Sequence, residues 1–173
     1  MSSDIQPVPE GYATVAPWIV TRDTAGEIEF LTVAFDGEEL GRVHNEDGSI
    51  GHAEVRIGDF IVLLFDAKES WPDTPALVRL YVKDIDEVFE KALRAGATSV
   101  TELRNFPWGD RGGRIRDPLC NIWWLTEHVE EVEPELQAQR WADPEYIETM
   151  RYAQESLDEE LSRRGASGDS GLF

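Results

Sequence analysis

The 173-residue sequence predicts an α+β fold of two βαβββ modules followed by C-terminal helices. Three observations carry this. The order strand, helix, three strands is readable twice, over about residues 12–67 and 76–127. Each module alone would expose one sheet face, so two of them together form a core. From residue 133 on, alternating apolar strands give way to an acidic run with helical spacing.

The elements follow in order. Residues 1–11 hold two prolines and a glycine and read as a loose arm. YATVAPWIV (12–20) is a strand candidate, with Pro17 at an edge or bulge. DTAGEIEFLTVAF (23–35) starts a helix at Asp23 or Thr24, and DGEELG is a turn. GRVHN, GHAEVRIG and DFIVLLFD are strands separated by the turns EDGS and GD. In the second of these, His52, Glu54 and Arg56 share one face and Ala53, Val55 and Ile57 the other. FIVLLF is apolar throughout, which predicts burial on both faces.

KESWPDTP (68–75) reads as a linker, and the pattern restarts with ALVRLYV (76–82). DIDEVFEKALRAGA (84–97) is the clearest helix. Asp84 and Glu87 match a capping box, Ile85, Val88, Phe89 and Ala92 form an apolar stripe, and Gly96 ends it. TSVTEL, GGRIRD and NIWWLTE are strands. In the tail, ADPE starts a helix with Asp143 as cap and Pro144 as first residue. Ile147, Met150, Gln154, Leu157 and Leu161 mark the stripe expected to pack on the parent domain or a dimer partner. The domain expected from this pass is 12–132, with a helical extension over 133–164 and loose ends at 1–11 and 165–173.

Charge and cysteine usage exclude several functions. Sixteen basic against 35 acidic residues give a net charge of −19, the wrong sign for phosphate contacts, so no nucleic-acid partner is expected. An acidic surface attracts cations. Cys120 is the single cysteine, which excludes an internal disulfide and a cysteine-based zinc cluster. No apolar run is long enough to span a membrane, and MSSDIQPVPEG lacks the pattern of a secretory signal, so a cytoplasmic protein is expected.

Three segments in order, EELGRV to IGDFIVLLFD (38–66), LYVKDIDEVFEKALRAGA (80–97) and WGDRGGRIRDP with WWLTEHVEEV (108–132), resemble the vicinal oxygen chelate superfamily of glyoxalases, bleomycin-resistance proteins and extradiol dioxygenases, and within it the PhnB-like branch. The resemblance implies a curved mixed sheet around a cavity, a homodimer, and in metal-dependent members a divalent metal. That metal polarises two vicinal oxygens from ligands on the first and last strands of each module. Carried over, the ligand positions fall at Ala16 or Pro17, Leu63, Leu77 and Trp124, none of which is a donor. His44, His52 and His128 lie elsewhere. Relatives of the PhnB type have Gly-His where this chain has Cys120 and Asn121, and Cys120 reads as a turn residue. No metal and no cofactor is therefore expected, a divalent metal being the alternative.

Alternation along the strands places Trp18, Leu63, Phe65, Leu77, Arg79, Tyr81, Ile122, Trp124 and Thr126 on the cavity face implied by the resemblance. Arg79 and Tyr81 are then polar handles in an aromatic pocket, although six tryptophans also have a core to fill. His52 and Glu54 point the same way, as an acid–base pair or as a solvated stripe. Asp110 and Arg111 are placed to ion-pair across a turn. Trp108 is placed to cover a pocket mouth, on a loop whose Gly109, Gly112 and Gly113 suit a mobile lid or a plain hairpin. The expected ligand set is Trp18, Phe65, Arg79, Tyr81, Trp108, Trp124, His52 and Glu54, with no catalytic residue assigned.

These residues fit a protein that binds a small organic molecule without metal, as bleomycin-resistance relatives do, taking up a bulky or cationic aromatic compound. One alternative is a glyoxalase- or dioxygenase-like lyase or isomerase with an atypical metal set drawn from His52, Glu54, Glu127 or His128. Another is an interaction or regulatory protein docking through its acidic tail.

Overall fold

A computed structural model describes residues 5–168, with side chains through Arg164. Residues 1–4 and 169–173 of the expected loose ends lie outside the described residues. The chain divides into two compact units after Ala76.

The first unit runs β1 (Trp18–Thr21), α1 (Thr24–Phe35), β2 (Glu38–His44), β3 (Ile50–Ile57) and β4 (Phe60–Asp66). Its sheet has the order β1-β4-β3-β2, with β1 parallel to β4 and the hairpins antiparallel. The face carrying Ile19, Ala53, Val55 and Leu64 is fully buried and packs on α1 through Ile28, Leu31 and Ala34. Burying each of the Ile, Val and Leu side chains contributes about 1.5–3 kcal/mol. The opposite face carries Trp18, His52, Glu54, Leu63 and Phe65, all at least partly exposed.

Three expectations change here. β1 is only four residues, and Tyr12 to Pro17 precede it outside any strand. β2 already starts at Glu38, within the segment read as a turn. FIVLLF is not buried on both faces, because α1 covers only one side. Leu63 and Phe65 remain half-buried.

The second unit runs β5 (Leu77–Tyr81), α2 (Ile85–Arg94), β6 (Thr98–Asn105), β7 (Asp110–Arg116) and β8 (Ile122–His128), then α3 (Pro134–Trp141) and α4 (Pro144–Gly168). The sheet order β5-β8-β7-β6 repeats that of the first unit. Ile115, Trp123 and Leu125 are buried on the side of α2. Asp117 organises the turn before β8, accepting from the Leu119 and Asn121 N–H groups and from Trp123 Nε1 at 2.8 Å. Cys120 sits exposed in that turn at φ 73°.

The capping box is not formed. Asp84 adopts the left-handed conformation (φ 53°) and its side chain makes no cap bond. Glu127, across on β8, accepts from the Ile85 N–H at 3.0 Å instead. The tail starts as expected, with Asp143 Oδ1 accepting from Glu145 N–H, and its helix backbone extends past residue 165 to Gly168. The packed stripe is different. Thr149, Ala153 and Glu160 are buried, while Ile147 and Leu161 are 53% and 46% exposed. The sheet explains this register. α4 lies against β6, and the residues meeting it are polar. Thr101 Oγ1 lies 2.7 Å from Ser156 Oγ, Arg114 Nη1 donates to the Ala153 carbonyl at 2.6 Å, and Arg116 pairs with Glu160 at 3.1 Å. Buried guanidinium groups need acceptors, so the helix turns its polar face inward.

Candidate functional site

The expected ligand residues fall into two clusters, one on each sheet. In the first, Trp18 on β1 is 48% exposed and packed edge-on by two rings, His52 at 5.6 Å and Phe65 at 5.3 Å between centroids. His52 Nε2 lies 3.0 Å from Glu54 Oε1. The Tyr12 hydroxyl and then the His52 imidazole hydrogen-bond Glu54 and hold its carboxyl below the usual carboxylate range. The same bond raises the Tyr12 hydroxyl. The arrangement is an open aromatic face with an ionised carboxylate at its edge.

In the second cluster the hub is Asp110, at the start of β7 and 3% exposed. Its Oδ2 accepts from Arg79 Nη2 at 2.8 Å and Trp108 Nε1 at 2.7 Å, and its Oδ1 lies 2.8 Å from His128 Nδ1. The expected pair with Arg111 is absent, since Arg111 reaches over to Asp86 on α2. Hydrogen bonding of the ring to the Asp110 carboxylate, followed by Glu131, raises the His128 imidazole above its ordinary value. Arg79 also donates to Thr126 Oγ1. Trp124 is flanked from both neighbouring strands, with the Arg79 and Arg114 guanidinium carbons 4.7 and 4.3 Å from its ring centroid. Burial, and then the like charge of Arg79, lowers the Arg114 guanidinium. Tyr81 also lies under Arg79, at 4.8 Å.

Trp108 stacks on Phe106 at 4.9 Å and meets Trp141 at 5.9 Å. The glycines beside it serve close approach rather than a lid. Gly109 has φ +90°, and a Cβ there would lie 2.0 Å from the Glu130 carbonyl oxygen. Gly112 and Gly113 lie within β7.

The implied metal positions do not fit a metal. Leu63, Leu77 and Trp124 have no hard donor, and among the described residues no group of three or more His, Cys, Asp or Glu is placed to hold an ion. Glu127 is committed to the Ile85 N–H and His128 to Asp110. Sequence reasoning missed Tyr12, which reaches Glu54 from the segment before β1 and carried no signal of its own.

A four-stranded mixed sheet closed by one helix, made twice in the order βαβββ, defines a class of proteins with paired modules of this kind. The chain belongs to the Glyoxalase/Bleomycin resistance protein/Dioxygenase superfamily, whose profile matches residues 12–125. An uncharacterized protein of Mycobacterium tuberculosis is 42% identical over 136 residues, covering 72% of this chain and 80% of that protein. TioX from Micromonospora sp. ML1 superposes with a TM-score of 0.55 at 27% identity, over 66% of this chain and 99% of TioX. The fosfomycin resistance protein FosX from Mesorhizobium loti gives 0.53 at 17% identity, over 76% and 98%. The PhnB protein from Bacillus cereus gives 0.52 at 18%, over 66% and 99%. At these identities FosX and PhnB share the fold, which singles out no branch.

Proposed function

We propose that the protein binds a planar aromatic cation, without metal, on the Trp18 face of the first module. One observation carries this reading: Trp18 is exposed yet held edge-on by Phe65 and His52, beside the ionised Glu54. A rigid exposed indole offers stacking and cation–π attraction, and the neighbouring carboxylate adds the matching charge. The net charge of −19 steers cations toward the protein and repels anions. Membership of a family whose name includes bleomycin resistance is compatible with uptake of a bulky aromatic compound. The apolar residues at the implied ligand positions disfavour the metal-dependent alternative.

Calorimetric titration with N-methylquinolinium tests it. Trp18→Ala is expected to weaken binding about tenfold. Glu54→Gln is expected to weaken it less, and to flatten its salt dependence. Unchanged affinity in Trp18→Ala, or equally tight binding of the anion naphthalenesulfonate, would overturn the reading.

A further inference from the structure

The segment from Lys68 to Asp73 is polar apart from Trp71 and Pro72, and the Arg22 side chain ties it down. Arg22, the residue after β1, donates through Nε to Asp73 Oδ1 at 2.7 Å. Its Nη1 donates to the Lys68 carbonyl at 2.8 Å and its Nη2 to the Trp71 carbonyl at 2.5 Å. The Trp71 N–H closes the turn onto the Lys68 carbonyl at 2.9 Å. A planar guanidinium with three acceptors fixes direction as well as distance, which an ammonium cannot do.

The result of this clamp is the placement of a ring. Trp71 meets Phe65 edge-on, 6.1 Å between centroids at 86°, and Phe65 in turn meets Trp18 at 5.3 Å. Phe65 thus links the exposed Trp18 to Trp71, itself 41% exposed. Beside Phe65 and Trp71 opens a cleft of about 450 Å³, walled on its other sides by Asn45, Ser49, Gly51 and Ala67. That volume lies in the range of small-molecule sites.

Of the four charged residues lining the cleft, Glu69 is exposed and the other three are already engaged. Asp66 accepts from the Thr24 and Ile50 N–H groups. Asp47 accepts from the Ser49 N–H and hydroxyl. The Lys68 ammonium already lies 5.6 Å from the Trp71 ring centroid. At Trp71 a second cation would meet the resident Lys68 ammonium, whereas an uncharged ring would meet the Phe65 and Trp71 rings.

We infer that this cleft is a second aromatic subsite, joined to the Trp18 face through Phe65. It takes an uncharged ring tethered to the cation held at Trp18, and Arg22 is its positioning residue. The inference rests on the proposed function and names the larger ligand class: an extended compound with one cationic and one neutral ring.

The test compares two probes with the same cation, N-methylquinolinium and N-phenylbutylquinolinium, by calorimetry on the full chain. The phenyl-bearing probe is expected to bind about tenfold tighter to the wild type. Trp71→Ala and Arg22→Ala are expected to abolish that advantage while leaving N-methylquinolinium unchanged. Arg22→Lys, which keeps the charge without the fork, is expected to behave like Arg22→Ala. Fluorine NMR of fluorotryptophan-labelled, ligand-free protein gives an independent readout. Arg22→Ala should shift the Trp71 resonance and leave that of Trp123 in place. Wild-type probes of equal affinity, an advantage that survives Trp71→Ala, or a Trp71 resonance indifferent to Arg22→Ala would each overturn the inference with the Trp18 reading intact. Loss of the Trp18→Ala effect on N-methylquinolinium would instead sink the underlying reading.

Discussion

The two modules share a backbone plan and invert its chemistry. In each, an acid at the end of the last strand accepts from the first helix N–H 42 residues earlier: Asp66 from Thr24, Glu127 from Ile85. Three residues before that acid, one row crosses each sheet. In the first module the row is Trp18, Leu63, Glu54 and Gly41. In the second it is Arg79, Trp124, Arg114 and Thr101. The first row combines an exposed indole with a partly exposed carboxylate. The second is cationic, and α4 docks at its Arg114–Thr101 end. A repeated topology therefore fixes where side chains point and leaves open what they do. The proposed cation site lies on the acidic row, and the basic row holds the chain's own helix.

The widest break in this comparison comes from truncating the same position of each row. Arg114→Ala removes a buried cation bonded to the Ala153 carbonyl and Thr101 Oγ1 and leaves both acceptors covered by α4. The expected cost is about 2–3 kcal/mol in urea unfolding. Glu54→Ala removes a partly exposed carboxylate and is expected to cost under about 1 kcal/mol. Equal losses would mean that the two rows are buried alike. Glu160→Ala should resemble Arg114→Ala. Burial alone would raise that carboxyl, but the Arg164 hydrogen bond and the Arg116 charge outweigh it and hold it below the usual range. Hydrogen exchange should then show α4 loosening before either sheet.

A smaller effect sharpens the likeness rather than the difference. Asp66→Ala and Glu127→Ala each remove a helix cap supplied from a distant strand, worth about 1 kcal/mol. Asp66→Ala should lose more, because its second oxygen also holds the Ile50 N–H at 2.6 Å. If only one of the two substitutions lowers the unfolding midpoint, the caps are not equivalent and the internal repeat is limited to strand order.

These caps also mark what a reader of the sequence can recover. The strands were legible because alternation is local: Ala53, Val55 and Ile57 against His52, Glu54 and Arg56 needs no distant information. The α2 helix was legible from its own stripe, yet its cap was not. Asp84 and Glu87 match a capping box, but Asp84 takes a left-handed backbone, and the acceptor arrives from 42 residues away. The α4 stripe misled for a similar reason. Ile147 and Leu161 have the right spacing for a buried face, but the surface waiting for the helix is lined by Arg114, Arg116 and Thr101. Of the candidate site, strand parity put Trp18 with Phe65 and His52 with Glu54, but that the two pairs share one face depended on the strand register. Trp71 did not follow from parity, because only the clamp from Arg22 brings a linker residue to the sheet.

The smallest effect concerns pH, and it separates Glu54 from His128 by sign. The Glu54 carboxyl is held below its ordinary 4.5, so its contribution is present above that value and is lost as pH falls through the folded pKa. The His128 imidazole is raised above 6.5, so its contribution is complete below 6.5 and is lost as pH rises through the folded pKa. Acid should therefore loosen Tyr12 and His52 from Glu54 first, whereas base should loosen His128 from Asp110 first. NMR titration of the His128 ring protons is expected to give a midpoint above 6.5, and Asp110→Asn should bring it most of the way back, with Glu131 supplying the remainder. A midpoint unmoved by Asp110→Asn would remove Asp110 as the cause and place the shift on Glu131. Since His128 is about half exposed, solvent screens the pair, and the global unfolding midpoint should change little even where the local titration is clear.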